Sequence, residues 1–178
     1  FYSSNENGRR GTAALNGSGR YFAFRLAQSL ERFENYFTGE PSAQFLSDLR
    51  EQGVGITDEG EVLNSQSHAG NTQATFRFFL SDNSNLRLNY DRRRGADIGS
   101  VGLVDTFNAF FPFSNRDKVN ARYDIVALSR NLQRLSLSGY YQTQYRNFTN
   151  ILTVLPVPPF FPGLYQFSET VTNTKTQG

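Results

Sequence analysis

The chemistry open to this chain is limited by its single histidine, His68, and by the absence of cysteine among its 178 residues. A Ser-His-Asp triad or a multi-histidine metal site would depend on that one imidazole. His68 lies in a stretch rich in serine, glutamine and asparagine, with no catalytic motif around it. We therefore predict a chain that is not an enzyme and has no cofactor or bound metal of its own. The remaining metal role for His68 is axial ligation of a haem; the alternative is a solvated loop residue.

Arginines are clustered at Arg92, Arg93 and Arg94, which end a predicted strand on its outer side, near Arg116 and Lys118 at the foot of the same loop. Guanidinium groups bind carboxylate and phosphate oxygens in pairs of hydrogen bonds. The cluster is therefore a candidate site for an anionic ligand. The alternative is a solvated rim, or cross-strand ion pairs with the acidic residues Asp91, Asp97, Asp117 and Asp124.

Two stretches assigned to loops are rich in aromatic side chains. Aromatic clusters are unfavourable on a surface exposed to water, so the rings either pack on each other and on the sheet or line a binding vestibule. Base stacking on nucleic acid is disfavoured, because no basic groove accompanies the rings. Together with the three arginines, the candidate ligand-binding residues are Phe107, Phe110, Phe111, Phe113, Phe160, Phe161 and Tyr165.

These candidates must be positioned by strands, because period-2 patterns dominate the chain. The longest is Leu132 to Arg146, LQRLSLSGYYQTQYR, with Leu135, Leu137, Tyr141 and Tyr145 on one face and polar residues on nearly all of the other. At ~3.3 Å per residue this segment extends ~50 Å, far beyond the usual strand of 5–6 residues. An apolar face opposite a polar face over such a length is typical of a strand that crosses a bilayer.

Six further segments show the same alternation, which gives seven candidate strands. They are Arg10–Leu15, Arg20–Phe33, Asn71–Leu80, Asn85–Arg93, Lys118–Leu128 and Phe167–Thr176. Helix is the competing interpretation for LAQSLERF, since its leucines also fit a 3.6 period. We predict an all-β fold: an antiparallel up-and-down meander that forms part of a transmembrane β-barrel. The residues predicted to face lipid are Phe22, Phe24, Leu26, Phe76, Phe78, Leu86, Leu88, Val119, Leu135 and Leu137.

Short and long connections alternate between these strands. Tight turns are predicted near Gly17, Asn83 and Arg130, whereas three excursions of about 20 to 35 residues occupy 40–68, 95–116 and 147–166. Outer-membrane barrels have short periplasmic turns and long extracellular loops, whereas long loops are uncommon in compact soluble domains. In the first excursion, proline followed by SAQFLSDLREQ predicts a short helix.

Composition agrees with a chain that lacks one large dry core. Hydrophobic residues make up 38%, below the roughly 45–50% of soluble domains. The net charge of +2 is too small for a nucleic-acid footprint. No apolar run approaches the roughly 18 residues of a membrane-spanning helix. The opening FYSSNENGRR lacks the apolar core of an export signal, so we expect an internal piece of a longer chain.

The segments RFFLSDNSNLRLNYDRRR, DKVNARYD and LQRLSLSGYYQTQYRNF, with an aromatic loop between the first two, carry a family resemblance. They resemble the barrel part of TonB-dependent outer-membrane receptors, and are most similar to iron-uptake receptors of the haem, haemoglobin and transferrin type. The resemblance covers nearly the whole chain, most clearly Asn71–Gly178. It implies a barrel of about 22 strands around an N-terminal plug domain.

The resemblance also implies a function, which is uptake of an iron-siderophore complex or haem across the outer membrane of a Gram-negative-type bacterium. The implied partners are outer-membrane lipid, the iron chelate or haem, and the TonB complex, with no nucleic acid. This sequence shows neither a plug domain nor a TonB box. Residues 1–178 are therefore expected to be a partial barrel domain.

Two alternatives belong to other classes of protein. A passive porin or adhesin-like barrel would have ladders of arginine and acidic residues along an open lumen. A soluble β-rich binding module would need its apolar strand residues to meet in an internal core. The residues concerned are Phe22, Phe24, Phe76, Phe78, Leu135 and Leu137.

Overall fold

The fold is a seven-stranded antiparallel meander, seen in a computed structural model that describes residues 8–39, 42–100, 107–127, 129–156 and 162–178. Each strand pairs with its neighbours in sequence, and β1 and β7 are the two edges. The elements are β1 Arg9–Ser18, β2 Phe22–Phe33, α1 Ala43–Glu51, β3 Ser67–Ser81, β4 Ser84–Ser100, β5 Phe107–Val126, β6 Arg134–Val154 and β7 Leu164–Gln177. The predicted all-β meander of seven strands is confirmed.

Strand pairing on both sides decides the one segment for which a helix competed. LAQSLERF lies in β2, where Leu26 is opposite Leu15 of β1 and Ala74 of β3. A strand paired on both edges has partners for its backbone N–H and C=O groups along its length, so tertiary pairing overrides a local 3.6 period. The helix interpretation of this segment is wrong.

Two of the three predicted long loops are largely strand. β4 continues to Ser100 and β5 begins at Phe107, so most of 95–116 is a hairpin; likewise β6 continues to Val154 and β7 begins at Leu164. The sequence hides these extensions because apolar and polar residues stop alternating there. Backbone pairing continues without the alternation, since the ladder needs only N–H and C=O groups.

Proline interrupts this extended region at a position where a strand tolerates it. The β5–β6 ladder shifts register between Phe110 and Phe113, a segment that contains Pro112. Proline has no N–H to donate, so within sheets it is confined to edges and bulges. The bulge thus explains how a Phe-Pro-Phe sequence stays within a strand.

Residues 34–66 form the one long connection within the described part of the chain, and they carry their own small core. Leu46 of α1 is buried with Ile56 and Val62, and partly buried apolar residues surround them. The helix begins as predicted, with Ser42 as the N-cap; its Oγ accepts a hydrogen bond from the Phe45 N–H at 3.2 Å. No helix in the described ranges is long and apolar enough to span a bilayer.

This folded loop, residues 34–66, is hydrogen-bonded to the end of the β4–β5 hairpin where β4 ends and β5 begins. The Asn64 side-chain amide donates to the Ala109 carbonyl at 2.7 Å and to the Asn108 Oδ1 at 3.0 Å. The Gly99 N–H donates to the Gln66 carbonyl at 3.0 Å. A Cβ at Gly99 would overlap the Asn64 backbone carbonyl, so glycine is required for the close approach.

The sheet itself is a single layer without a core. Each strand contacts only its sequence neighbours, and no second layer packs on either face within the described residues. The buried hydrophobic residues of the described ranges are Leu46, Ile56, Val62 and Ala109. Three of these four lie in the folded loop, so both faces of the sheet are left uncovered.

We predict that Gly99→Ala releases the folded loop while leaving the sheet intact, because the added methyl group and the Asn64 carbonyl cannot occupy the same space. Arg50 is the only lysine or arginine between residues 34 and 66, so tryptic cleavage there reports loop release. Cleavage at Arg50 should be faster by severalfold. Gly11→Ala is the matched control, since nothing lies within 4 Å of a Cβ at that position; equal cleavage of the two variants would contradict the docking.

Candidate membrane and ligand surfaces

One face of the sheet carries a continuous apolar surface near the short turns. The register places all ten residues predicted to face lipid on this face: Phe22 is opposite Phe78, Phe78 opposite Leu86, and Tyr123 joins Leu86 to Leu137. We name this surface the apolar belt. It comprises Leu15, Phe22, Phe24, Leu26, Phe76, Phe78, Leu86, Leu88, Tyr90, Val119, Tyr123, Ile125, Leu135, Leu137 and Tyr141.

The belt is exposed, and tyrosines mark its boundary away from the short turns. Leu137 is 60% exposed and Phe22 46% exposed, and both belong to one contiguous apolar patch, which is the informative observation. Tyr90 and Tyr141 flank Val119 in one cross-strand row. The Tyr90 hydroxyl donates to Asp117 Oδ1 at 2.8 Å, as expected for a ring whose body is apolar and whose tip is polar. What the belt contacts remains a prediction.

The opposite face is polar and carries ion pairs both within β5 and between neighbouring strands. Asp124 is nearly buried and accepts from Arg122 and Arg134, both at 3.0 Å. Asp91 accepts from Arg116 at 2.7 Å. Cross-strand pairing, the alternative given for the acidic residues, therefore occurs at Asp91 and Asp124 on this face, and at Asp117 with Arg94 on the face of the belt.

Three arginines lie side by side on the polar face, and their positive charges are only partly neutralised by acidic side chains. Arg77 is directly opposite Arg87, and Arg87 is directly opposite Arg122. Like charges in such positions destabilise a sheet. Arg122 has Asp124 and Arg77 donates to Asn85 at 3.1 Å, but no hydrogen bond or ion pair of the Arg87 side chain occurs among the described residues. The row gives this face a local excess of positive charge.

The predicted arginine cluster does not converge on one site. Arg92, Arg93 and Arg94 lie inside β4 and not at its outer end, so their side chains alternate between faces. Arg92 and Arg94 share the face of the belt, and Arg94 Nη2 lies 2.6 Å from Asp117 Oδ2. Arg93 lies on the polar face. The prediction that the three arginines lie together at a loop rim is wrong, because the predicted strand ends at Arg93 whereas β4 continues to Ser100.

The aromatic candidates that the structure describes belong to strands and not to loops. Phe107, Phe110, Phe111 and Phe113 lie in β5, and Tyr165 lies in β7 with 68% exposure. Phe160 and Phe161 lie outside the described residues. The assignment of the five described residues to loops is wrong, because β5 and β7 begin earlier than the alternation of apolar and polar residues indicates.

Ring contacts support packing for two of these residues. The Phe111 and Phe148 ring centroids are 5.0 Å apart, and Phe113 stacks on Tyr145 at the same distance. The Arg146 guanidinium lies 5.8 Å from the Phe111 ring centroid. The sequence pattern places Tyr145 in a strand without identifying Phe113 as its partner, and it misses Phe148, because the predicted strand ends at Arg146 whereas β6 continues to Val154.

His68 lies in β3 and not in a loop. Its Nδ1 is 3.6 Å from Asp97 Oδ2, and its buried Nε2 has no hydrogen-bond partner within the described ranges. His68 also lines a shallow basin of about 600 Å³ beside Leu30, Gly70 and Arg94. Sequence reasoning missed this basin, whose residues come from five strands. Haem ligation by His68 stays a prediction.

We predict that Phe111→Leu and Phe148→Leu are coupled by about 0.5–1.5 kcal/mol of unfolding free energy, the usual value for a ring pair beyond its buried area. A double-mutant cycle in guanidinium, with the protein in detergent micelles, measures this coupling. The control cycle pairs Phe107→Leu with Phe148→Leu, since no ring contact joins those two residues. Additivity within ~0.5 kcal/mol in the first cycle would contradict ring packing.

A scan against protein-family models, a search of curated proteins and a search of solved structures each found no match to this chain. The fold class therefore rests on the strands and register of this chain alone.

Proposed function

We propose that this chain is part of an outer-membrane β-barrel that takes up an iron-siderophore complex or haem, energised through TonB. The proposal has two levels: placement of the sheet in a membrane, and active transport by the protein to which it belongs. The first level rests on the geometry of the sheet. The second rests on the family resemblance together with the charge and architecture of the polar face.

The observation that carries the proposal is the uncovered apolar belt on a single-layer sheet. Exposed apolar area costs roughly 25 cal/mol per Å² in water, and large exposed patches mark binding or membrane surfaces. A bilayer offers an apolar environment across the whole belt while water solvates the opposite face. The soluble-module alternative needs these side chains to meet in a core, whereas they lie side by side on one face.

The two edge strands also favour a barrel. β1 and β7 each pair on one side only within the described residues. Their free edges expose backbone N–H and C=O groups, which cannot be left unpaired in a hydrocarbon layer. Additional strands that close the sheet would satisfy these groups. The seven strands accordingly fit one arc of a larger barrel.

Uptake of an anionic chelate is supported by the polar face and by the end of the sheet remote from the short turns. The Arg77–Arg87–Arg122 row and Arg93 attract anions to what becomes the lumen, a feature that the passive porin alternative shares. Strands β4–β7 extend beyond the belt, and the folded loop is docked there against Ala109. Both features suit a structured extracellular mouth, where ligands of TonB-dependent receptors bind.

We predict that Leu88→Arg blocks membrane assembly whereas Asn89→Arg is tolerated. Leu88 lies mid-belt, where arginine costs ~2–4 kcal/mol on a lipid-facing position; Asn89 lies on the polar face between Thr75 and Asn120. Assembly of the full-length protein into zwitterionic vesicles is measured by protease protection. Equal behaviour of the two variants would remove the membrane placement.

We predict that transport by the full-length protein depends on the inner-membrane proton gradient. Cells are supplied with radiolabelled ferric siderophore or haem, and accumulation is followed with and without an uncoupler. Active uptake should fall at least tenfold on uncoupling, as energy from TonB ceases. Uptake of small solutes that persists in uncoupled cells would instead favour the passive porin, and normal assembly without any uptake would favour the adhesin-like barrel.

A further inference from the structure

A basin lies on the belt face, beyond the tyrosine row and away from the short turns. Its volume is about 600 Å³, and it spans β1 to β5. Its lining includes Arg9, Gly11, Leu30, Arg32, Gly70 and Arg94. The basin exists because glycines leave space where neighbouring rows carry side chains. Nothing lies within 4 Å of a Cβ at Gly11, and a Cβ at Gly70 meets Leu30 only at ordinary contact distance, 3.4 Å.

The floor of the basin is largely apolar, and one polar row, Gln28, Thr72 and Arg92, separates it from the belt. Gly11, Leu30, Gly70 and Arg94 form one cross-strand row, which lies two rows beyond the row of Leu26 and Tyr90. Leu30 is 62% exposed. An amphipathic molecule can place its polar part at the basin and at this polar row, and its hydrocarbon part on the belt beyond.

Cations surround this floor. Arg9 is directly opposite Arg32 on the belt face. Arg32 and Arg94 each have a carboxylate partner at 2.6 Å, Glu34 and Asp117. No ion pair for Arg9 occurs in the part of the chain that the structure describes, and the acidic lining residue Glu31 is paired with Arg10 at 3.2 Å, so the rim retains positive charge.

We propose that this basin binds the phosphate-bearing headgroup of a membrane lipid whose acyl chains lie on the apolar belt. The inference rests on the proposed membrane placement and adds a specific lipid chemistry to it. Guanidinium groups at a membrane surface bind phosphate oxygens, and the floor accepts hydrocarbon. A soluble phosphate ion would bind the arginines but would make no use of the apolar floor, whereas a lipid can contact both. The geometry therefore favours a lipid.

The chain offers a matched control for each basin arginine. Arg10 follows Arg9 and Arg93 precedes Arg94, and both controls point to the polar face. The double variant Arg9→Gln/Arg94→Gln removes two charges from the basin. Arg10→Gln/Arg93→Gln removes the same two charges from the same strands but from the other face. A third variant, Gly70→Leu, fills the floor without changing charge.

The test titrates phosphatidylglycerol into the full-length protein held in zwitterionic detergent micelles and follows its thermal unfolding midpoint. The native protein should be stabilised in a saturable way. The half-saturating concentration should rise about fivefold per basin arginine removed, or roughly 30-fold for the pair, from the usual gain per basic residue near anionic lipid. Gly70→Leu should also weaken binding, whereas the polar-face control should behave as the native protein.

The outcomes separate this inference from the proposed function. Assembly of the native protein into zwitterionic vesicles, with no effect of phosphatidylglycerol or an equal loss in both arginine doubles, overturns the lipid site and leaves the membrane placement standing. Failure of the native protein to assemble into any vesicle overturns both. Equal stabilisation by inorganic phosphate overturns the assignment to a lipid.

Discussion

Hydrogen bonding between neighbouring strands is the interaction on which the rest of this structure depends. In most domains a sheet is held by a second layer that buries one of its faces. Here the described strands contact only their neighbours, and the well-buried apolar residues outside the 34–66 loop reduce to Ala109. The polarity of each face can therefore match the environment that the face contacts. The apolar belt and the polar ion-pair network are consequences of that freedom.

The ladder also decides which residues act together. Arg92, Arg93 and Arg94 are adjacent in sequence, yet the pleat separates them into two surfaces with different chemistry. Conversely, Arg9 and Arg94 are far apart in sequence and come to line one basin because register aligns their rows. In such a sheet, a site is defined by the face on which each residue lies and by the cross-strand row to which it belongs. Proximity along the chain is a poorer guide.

Much of the fold could be predicted from the sequence, and the reason lies in the belt. Where one face is apolar and the other polar, alternation marks the strand and its facing, as in Leu135 and Leu137 against Ser136 and Ser138. Beyond the belt that contrast disappears, so the extensions around Phe107 and Val154 could not be recognised. The site was less predictable still. The basin is created by the register of five strands, β1 to β5, and the sequence of a single strand does not show how it is aligned with its neighbours.

The strictly sequential pairing has a further consequence for how the molecule reaches its native state. Every ladder contact closes a hairpin between adjacent segments, so the sheet can grow one strand at a time with a modest loss of chain entropy at each step. The small core around Val62 is likewise assembled from nearby residues. The Asn64 contacts with Asn108 and Ala109 are different, because the loop and the start of β5 become neighbours only when β3, β4 and β5 are paired. The folded loop therefore docks late, after β3, β4 and β5 have paired. The end of the sheet remote from the short turns is completed last.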